Sequence, residues 1–390
     1  MVTNTPGPLE SFRGAFPRQT LNARRVAGAL EAPGCQRRTA LDAAAVNLDM
    51  LGSLLSRSPR DRQSPFALTR GNQFEQQVTD NGMAEIVVLA RRHLGLEIPE
   101  VRQLDLSASA LREAYPDLAP TAMNDRRVAL TLRRVDEMLT EPVQAYNLIR
   151  HAMTRLDFGG EPVYLEQDVL AFAVDGRIHV VEIKSYPRID GRADPTKASA
   201  TVRQTAVYVL SLQQLMLEIS APPDLVNTTT MIVLPENLSF RPTAVTIDID
   251  MHVRRLRRQL ASVPRAIEIL NAVPVGTQLP IHPAKEASAE ELDTAAAAAR
   301  EALAPLPARF TDGCTSCPLF KHCRGEAELH RSTARLGAAV AGACGSVTDI
   351  TAALDLAEGR RAPVDASETA VAAALARGAA AARFATRGLA

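Results

Sequence analysis

Two apolar runs separated only by Asp175-Gly176-Arg177 constrain this chain more than any other feature. Asp168 opens the first run, Val169-Leu170-Ala171-Phe172-Ala173-Val174, and Ile178-His179-Val180-Val181-Glu182-Ile183-Lys184 forms the second. Glycine, and aspartate more rarely, tolerates the positive φ of a two-residue turn. β-branched residues crowd the return run, so the pair reads as an antiparallel hairpin. Such a hairpin brings Asp168 and Glu182 to the same end, while Glu182 and Lys184, two apart, project from one face. Two carboxylates and an ammonium thus meet at the end of an otherwise apolar hairpin.

Two carboxylates can hold a hard divalent cation that keeps several waters and accepts a phosphate oxygen. Mg²⁺ or Mn²⁺ in that position acts as a Lewis acid and lowers the pKa of water. A lysine alongside neutralises charge that develops at phosphorus. That is an inventory for phosphodiester hydrolysis. An isolated Glu-x-Lys is more often a salt bridge at a strand edge, but the residues downstream of this one shift the balance. Residues 201–219 (TVRQTAVYVLSLQQLMLEI) read as a largely buried helix on which Gln204 and Tyr208 share one face, a turn apart. Buried, both need hydrogen-bond partners, which the neighbouring site can supply.

Taken together, Asp168, Glu182-Ile183-Lys184, Gln204 and Tyr208 resemble the pattern of the RecB-type branch of the PD-(D/E)xK nuclease superfamily. The resemblance implies a restriction-endonuclease-like α/β fold, a mixed central sheet flanked by helices. It implies that Asp168, Glu182 and the Ile183 carbonyl bind Mg²⁺ or Mn²⁺ and that Lys184 assists attack by water. Gln204 and Tyr208 would then lie beside the site and its DNA. Arg70-Gly71-Asn72-Gln73-Phe74-Glu75 resembles the G-x-x-x-H arrangement of that branch, with Glu75 where histidine is expected. A glutamate there is either a further metal ligand or a solvated helix residue.

Of five cysteines, three cluster as Cys314-x2-Cys317-x5-Cys323, and Cys35 lies far upstream. One subset of RecB-like nucleases, including the CRISPR-associated exonucleases and the AddB subunit of a helicase–nuclease, has one cysteine before the core and three after it. The resemblance implies that Cys35, Cys314, Cys317 and Cys323 ligate a 4Fe–4S cluster joining the N- and C-terminal segments. Four thiolates suit an iron–sulfur cube and tetrahedral zinc equally; spacing leaves both open, and only the resemblance favours iron. His322 is a minor alternative ligand, and Cys344 reads as an ordinary buried residue. The likeness further implies DNA as partner, single-stranded or with free ends, acted on by an exonuclease, and a helicase or CRISPR-adaptation partner. Two other readings are a catalytically silent DNA-binding or assembly subunit and a zinc-stabilised structural or adaptor protein.

Lys+Arg and Asp+Glu balance at 44 each, so nucleic acid would have to meet local basic patches. Candidates are Arg254, Arg255, Arg257 and Arg258, then Arg37 and Arg38, then Arg126, Arg127, Arg133 and Arg134. Aromatics make up only 4%, too few for an extended base-stacking platform. Neither a continuous apolar span nor an apolar signal region is visible, which points to the cytoplasm and away from membranes. Strands are expected at 228–234 and 244–249, with 201–219 as the crossover that parallel pairing of the third strand needs. Helices are expected at 75–93, 121–155, 251–272 and 289–303. Organisation reads as an N-terminal segment (1–65) carrying Cys35, a nuclease core with the cysteine cluster (66–335), and an alanine-rich tail (336–390), helical or loosely ordered.

Overall fold

The computed structural model describes residues 6–57, 65–98, 100–172 and 176–387. Four short helices, α1 (Pro8–Arg13), α2 (Ala23–Leu30), α3 (Gln36–Ala43) and α4 (Leu48–Ser56), precede the long α5 (Pro65–Leu94). Next come β1 (Gln103–Asp105), α6 (Ala108–Leu111), α7 (Pro120–Thr140), β2 (Leu148–Arg150), β3 (Met153–Phe158) and β4 (Glu161–Glu166). The hairpin strands β5 (Val169–Phe172) and β6 (Ile178–Ile183) follow, then the short β7 (Arg188–Ile189) and β8 (Arg192–Ala193). The crossover α8 (Pro195–Glu218) leads to β9 (Thr229–Pro235), β10 (Pro242–Asp248), α9 (Asp250–Ala261) and α10 (Ala266–Leu270). Helices α11 (Ala289–Leu303), α12 (Phe320–His330), α13 (Ala338–Cys344), α14 (Ile350–Ala357) and α15 (Ala366–Arg387) complete the chain.

The chain divides into two compact units, each assembled from segments distant in sequence. Residues 20–30 and 61–265 form the sheet unit; residues 1–19, 31–60 and 266–390 form the helical unit.

In the sheet unit, six strands run in the order β1-β2-β5-β6-β9-β10. The sheet is mixed: β5 pairs antiparallel with both β2 and β6, whereas β6 and β9 are parallel. That parallel pair is joined through α8, as a parallel connection demands. Alternation sorts the faces. Val169, Ala171, Val181 and Ile183 turn toward Phe74, Val78 and Ile86 of α5. Leu170, Ile178 and Val180 turn toward α8, α7 and the small α2, which contributes Val26 and Leu30. Asp194 caps α8 by accepting from the Lys197 amide at 2.8 Å, with Pro195 in its first turn.

Some expectations change. Residues 121–155 are not wholly helical: α7 ends at Thr140, and β2 and the start of β3 lie within that stretch. The β3–β4 hairpin alternates buried and exposed residues around Gly159-Gly160, both at positive φ, the conformation of a two-residue turn. The 251–272 helix is broken between Ala261 and Ala266, where Pro264 falls. Helix α5 loses helical backbone at Asp80–Met83. Asp175 lies outside the described residues, as do Ala173 and Val174; Gly176 has the positive φ expected of the turn. The alanine-rich stretch forms helices around a small core of Cys344, Val347, Leu356 and Val371, where Cys344 is an ordinary buried residue.

Candidate active site and cysteine centre

Strand register builds the first site. Val169 pairs with Val181, so one residue further along Asp168 stands across from Glu182. On the other side Arg150 pairs with Val169, which sets His151 beside Asp168, and Asp105 of β1 pairs with Arg150. Adjacent strands therefore deliver Asp105, His151, Asp168 and Glu182 to one end of the sheet. The Ile183 amide donates to Asp168 Oδ2 at 3.0 Å, which fixes that carboxylate against β6.

Glu182 is fully buried, and Lys184 forms an ion pair with its Oε1. Gln204 of α8 donates to the same oxygen at 2.9 Å and lies 3.3 Å from the Tyr208 hydroxyl. Among the described residues, Glu182 Oε2 has no hydrogen-bond partner. Burial, reinforced by Asp168 and opposed by Lys184, pushes the Glu182 carboxyl up to about 8. Burial likewise raises Asp168 against the pull of Lys184. Lys184 is raised: its burial acts downward, but Glu182 and Asp168 outweigh it. Tyr208 is held well above its ordinary value by burial and then by Glu182.

Glu75 approaches from α5, where Gly71 lets the helix pass close to β6; a Cβ at Gly71 would stand 3.3 Å from the Ser185 hydroxyl. Glu75 Oε1 lies 3.7 Å from His151 Nε2, and His151 Nδ1 is 2.8 Å from Asp105 Oδ1. Glu75 and then Asp105 hold the imidazole up to about 8, and His151 in turn lowers Glu75. The structure thus gathers Glu75, Asp168, Glu182, Ile183, Lys184, Gln204 and Tyr208. It adds His151 and Asp105, which motif spacing did not reveal.

An unpartnered buried carboxylate oxygen, facing a second carboxylate, is what a hard divalent cation satisfies. The donor set therefore fits Mg²⁺ or Mn²⁺ in kind. Among the described residues, no three His, Cys, Asp or Glu side chains stand at ready-made ligating geometry.

The second centre lies in the helical unit. Cys35 immediately precedes α3, Cys314 and Cys317 flank a tight turn, and Cys323 lies on α12. All four line one small apolar pocket with Arg37 and Arg38. Backbone approach is close: a Cβ on Gly313 would lie 2.5 Å from that of Glu31, and Thr311 Oγ1 donates to the Glu31 carbonyl at 3.1 Å. Burial pushes the Cys323 thiol up to about 11 despite Arg37, and raises Cys317 despite Arg38. Four cysteines around one pocket suit a thiolate-ligated metal group in kind. His322 points elsewhere, its Nε2 3.4 Å from Glu326.

The arginine patches differ in burial and pairing. Arg37 and Arg38 are buried beside the cysteines, so neither forms a phosphate-binding surface. Arg127 is buried against Glu166 and the Leu106 carbonyl, while Arg133 and Arg134 pair with Glu137. Arg126 lies over the Tyr115 ring. On α9, Val253 and Leu256 are buried and Arg254, Arg255, Arg257 and Arg258 are exposed, with Arg254 paired to Asp250 at 2.8 Å and Arg257 donating to Gln213. No helix among the described residues is long and apolar enough to cross a membrane.

No protein-family model and no curated protein matches the sequence. Among solved structures, the crystal structure of SSO0001 aligns with 45% of this chain and 82% of its own, at 14% identity and a TM-score of 0.17.

Proposed function

We propose that this protein is a metal-dependent nuclease that hydrolyses phosphodiester bonds in DNA, on a RecB-like PD-(D/E)xK core. The reading is carried by one observation: buried Glu182 holds Lys184 and Gln204 on one oxygen and leaves the other unpartnered, across from Asp168. Asp168, Glu182 and the Ile183 carbonyl, with Glu75, would hold Mg²⁺ or Mn²⁺, which would supply Lewis acidity toward phosphate and lower the pKa of water. Lys184 orients the attacking water and offsets charge developing on the phosphate. Gln204, itself bonded to Tyr208, fixes Glu182, and both side chains border the path of the strand. His151, anchored by Asp105, orients Glu75. The exposed arginines of α9 offer backbone phosphates a sequence-independent contact. Cys35, Cys314, Cys317 and Cys323 hold a 4Fe–4S cluster, or zinc, that ties the segments of the helical unit together.

The test uses anaerobically purified protein with Mn²⁺ and end-labelled single- and double-stranded DNA. Cleavage is expected from the wild type and lost, with the fold intact by circular dichroism, in Asp168→Ala, Glu182→Ala and Lys184→Ala. Undiminished cleavage in all three variants would refute the site.

A further inference from the structure

Two adjacent arginines in the helical unit are placed as no surface arginine is. Arg37 and Arg38 follow Cys35 by two and three residues and are 3% and 7% exposed. Consecutive helical residues point about 100° apart, so the pair reaches two different sulfurs. Arg37 Nη1 lies 3.3 Å from Cys323 Sγ, and Arg38 Nη1 lies 3.4 Å from Cys317 Sγ.

Each guanidinium is locked before it reaches sulfur. Arg37 donates from Nε to the Leu306 carbonyl at 3.0 Å and from Nη2 to that of Leu303 at 3.3 Å, and Glu326 accepts from Nη1 at 2.5 Å. Arg38 is held through Nε by Asp42, itself 1% exposed. Burying two cations is costly unless they are paired and hydrogen-bonded. A neutral thiol rewards a guanidinium weakly, whereas a thiolate accepts a charge-assisted hydrogen bond. The arrangement is therefore matched to cysteines in their metal-ligating form.

We propose that Arg37 and Arg38 are positioning residues of the cysteine centre, built to donate N–H···S hydrogen bonds to the thiolates of Cys323 and Cys317. The inference rests on the metal-binding reading of the four cysteines. It makes the centre asymmetric: Cys317 and Cys323 carry arginine donors, and Cys35 and Cys314 carry none from this pair. Outer partners of this kind orient ligands and hold the bound group, and donors to sulfur raise the reduction potential of an iron–sulfur centre.

The test compares full-length wild type with Arg37→Gln, Arg38→Gln, Arg37→Lys and Arg38→Lys, each reconstituted anaerobically with ferrous iron and sulfide, or with zinc. Metal content is measured first, then the rate of release to a chromogenic chelator and, for the iron form, the midpoint potential. The glutamine variants should release metal about 10- to 100-fold faster and, with iron, show a lower midpoint potential. Lysine keeps the charge but not the planar fork, so the lysine variants should fold like the wild type yet still release metal faster. A loaded wild type with all four variants matching its release rate overturns the inference alone. A wild type that takes up neither iron nor zinc overturns the reading of the cysteines, and the inference with it. Should glutamine prevent folding, the lysine variants decide.

Discussion

At residue scale the sheet site is governed by Glu182, a carboxyl with no exposed surface facing a second carboxyl. Its pKa of about 8 in the fold stands well above the roughly 4.3 of an unfolded glutamate. Between those values the native state keeps a proton that the unfolded chain has lost, so stability falls as pH rises. His151 acts in the same sense but over a higher range, from its unfolded value of about 6.5 to about 8 in the fold. Below pH 6 the slope belongs to the carboxyls. Chelator-treated protein should therefore melt at progressively lower temperature from pH 5 to pH 8, and Glu182→Gln should flatten the lower part of that decline. Added Mn²⁺ should oppose it, because the ion favours the ionised form. Identical pH profiles for wild type and variant, read by thermal melts, would exclude this account.

The hairpin residues could be read in the sequence because their relation is local: β5 and β6 are consecutive, and Gln204 and Tyr208 lie a turn apart. His151 and Asp105 depend on β2 pairing with β5 and β1 with β2, contacts that no spacing records.

At element scale, the helical reading of 121–155 took in β2 and the start of β3 because their Leu, Ile and Met suit either period over a short run. The signal that separates them is Gly159-Gly160, flanked by six-residue strands that pair in register. Close packing matters equally. Helix α4 meets the cysteine-bearing segment at Gly52, where a Cβ would lie 2.2 Å from the Pro318 carbonyl oxygen. Backbone cannot yield as a flexible side-chain tip can. Gly52→Ala should cost about 1–3 kcal/mol in urea unfolding and should speed thiol labelling at neighbouring Cys317. Unchanged stability and labelling would show that α4 can shift freely.

At the scale of the whole molecule, neither unit is built from one continuous stretch. The sheet unit borrows α2, whose Val26 and Leu30 are fully buried against α8 and its neighbours. Each such side chain contributes about 1.5–3 kcal/mol on burial, so losing both removes a sizeable part of a typical domain's stability of roughly 5–15 kcal/mol. A fragment spanning residues 61–265 should accordingly bind a hydrophobic dye and aggregate, whereas the full chain melts cooperatively. A soluble fragment with a full-length melting profile would contradict that. Composition shifts along a chain do not record which distant segments share a core.

The interleaving has a consequence for synthesis on the ribosome. Cys35 and Cys323 are separated by nearly three hundred residues, which at about 5–20 residues per second takes roughly 15–60 s to translate. Through that interval Cys35 and its two arginines have emerged without the sulfurs and carbonyls that will enclose them. Leu41 and Leu51 likewise await the helices that cover them in the finished unit. Any occupant that needs all four thiols must arrive after translation has passed residue 323, so loading of that centre is a late step in the birth of the protein.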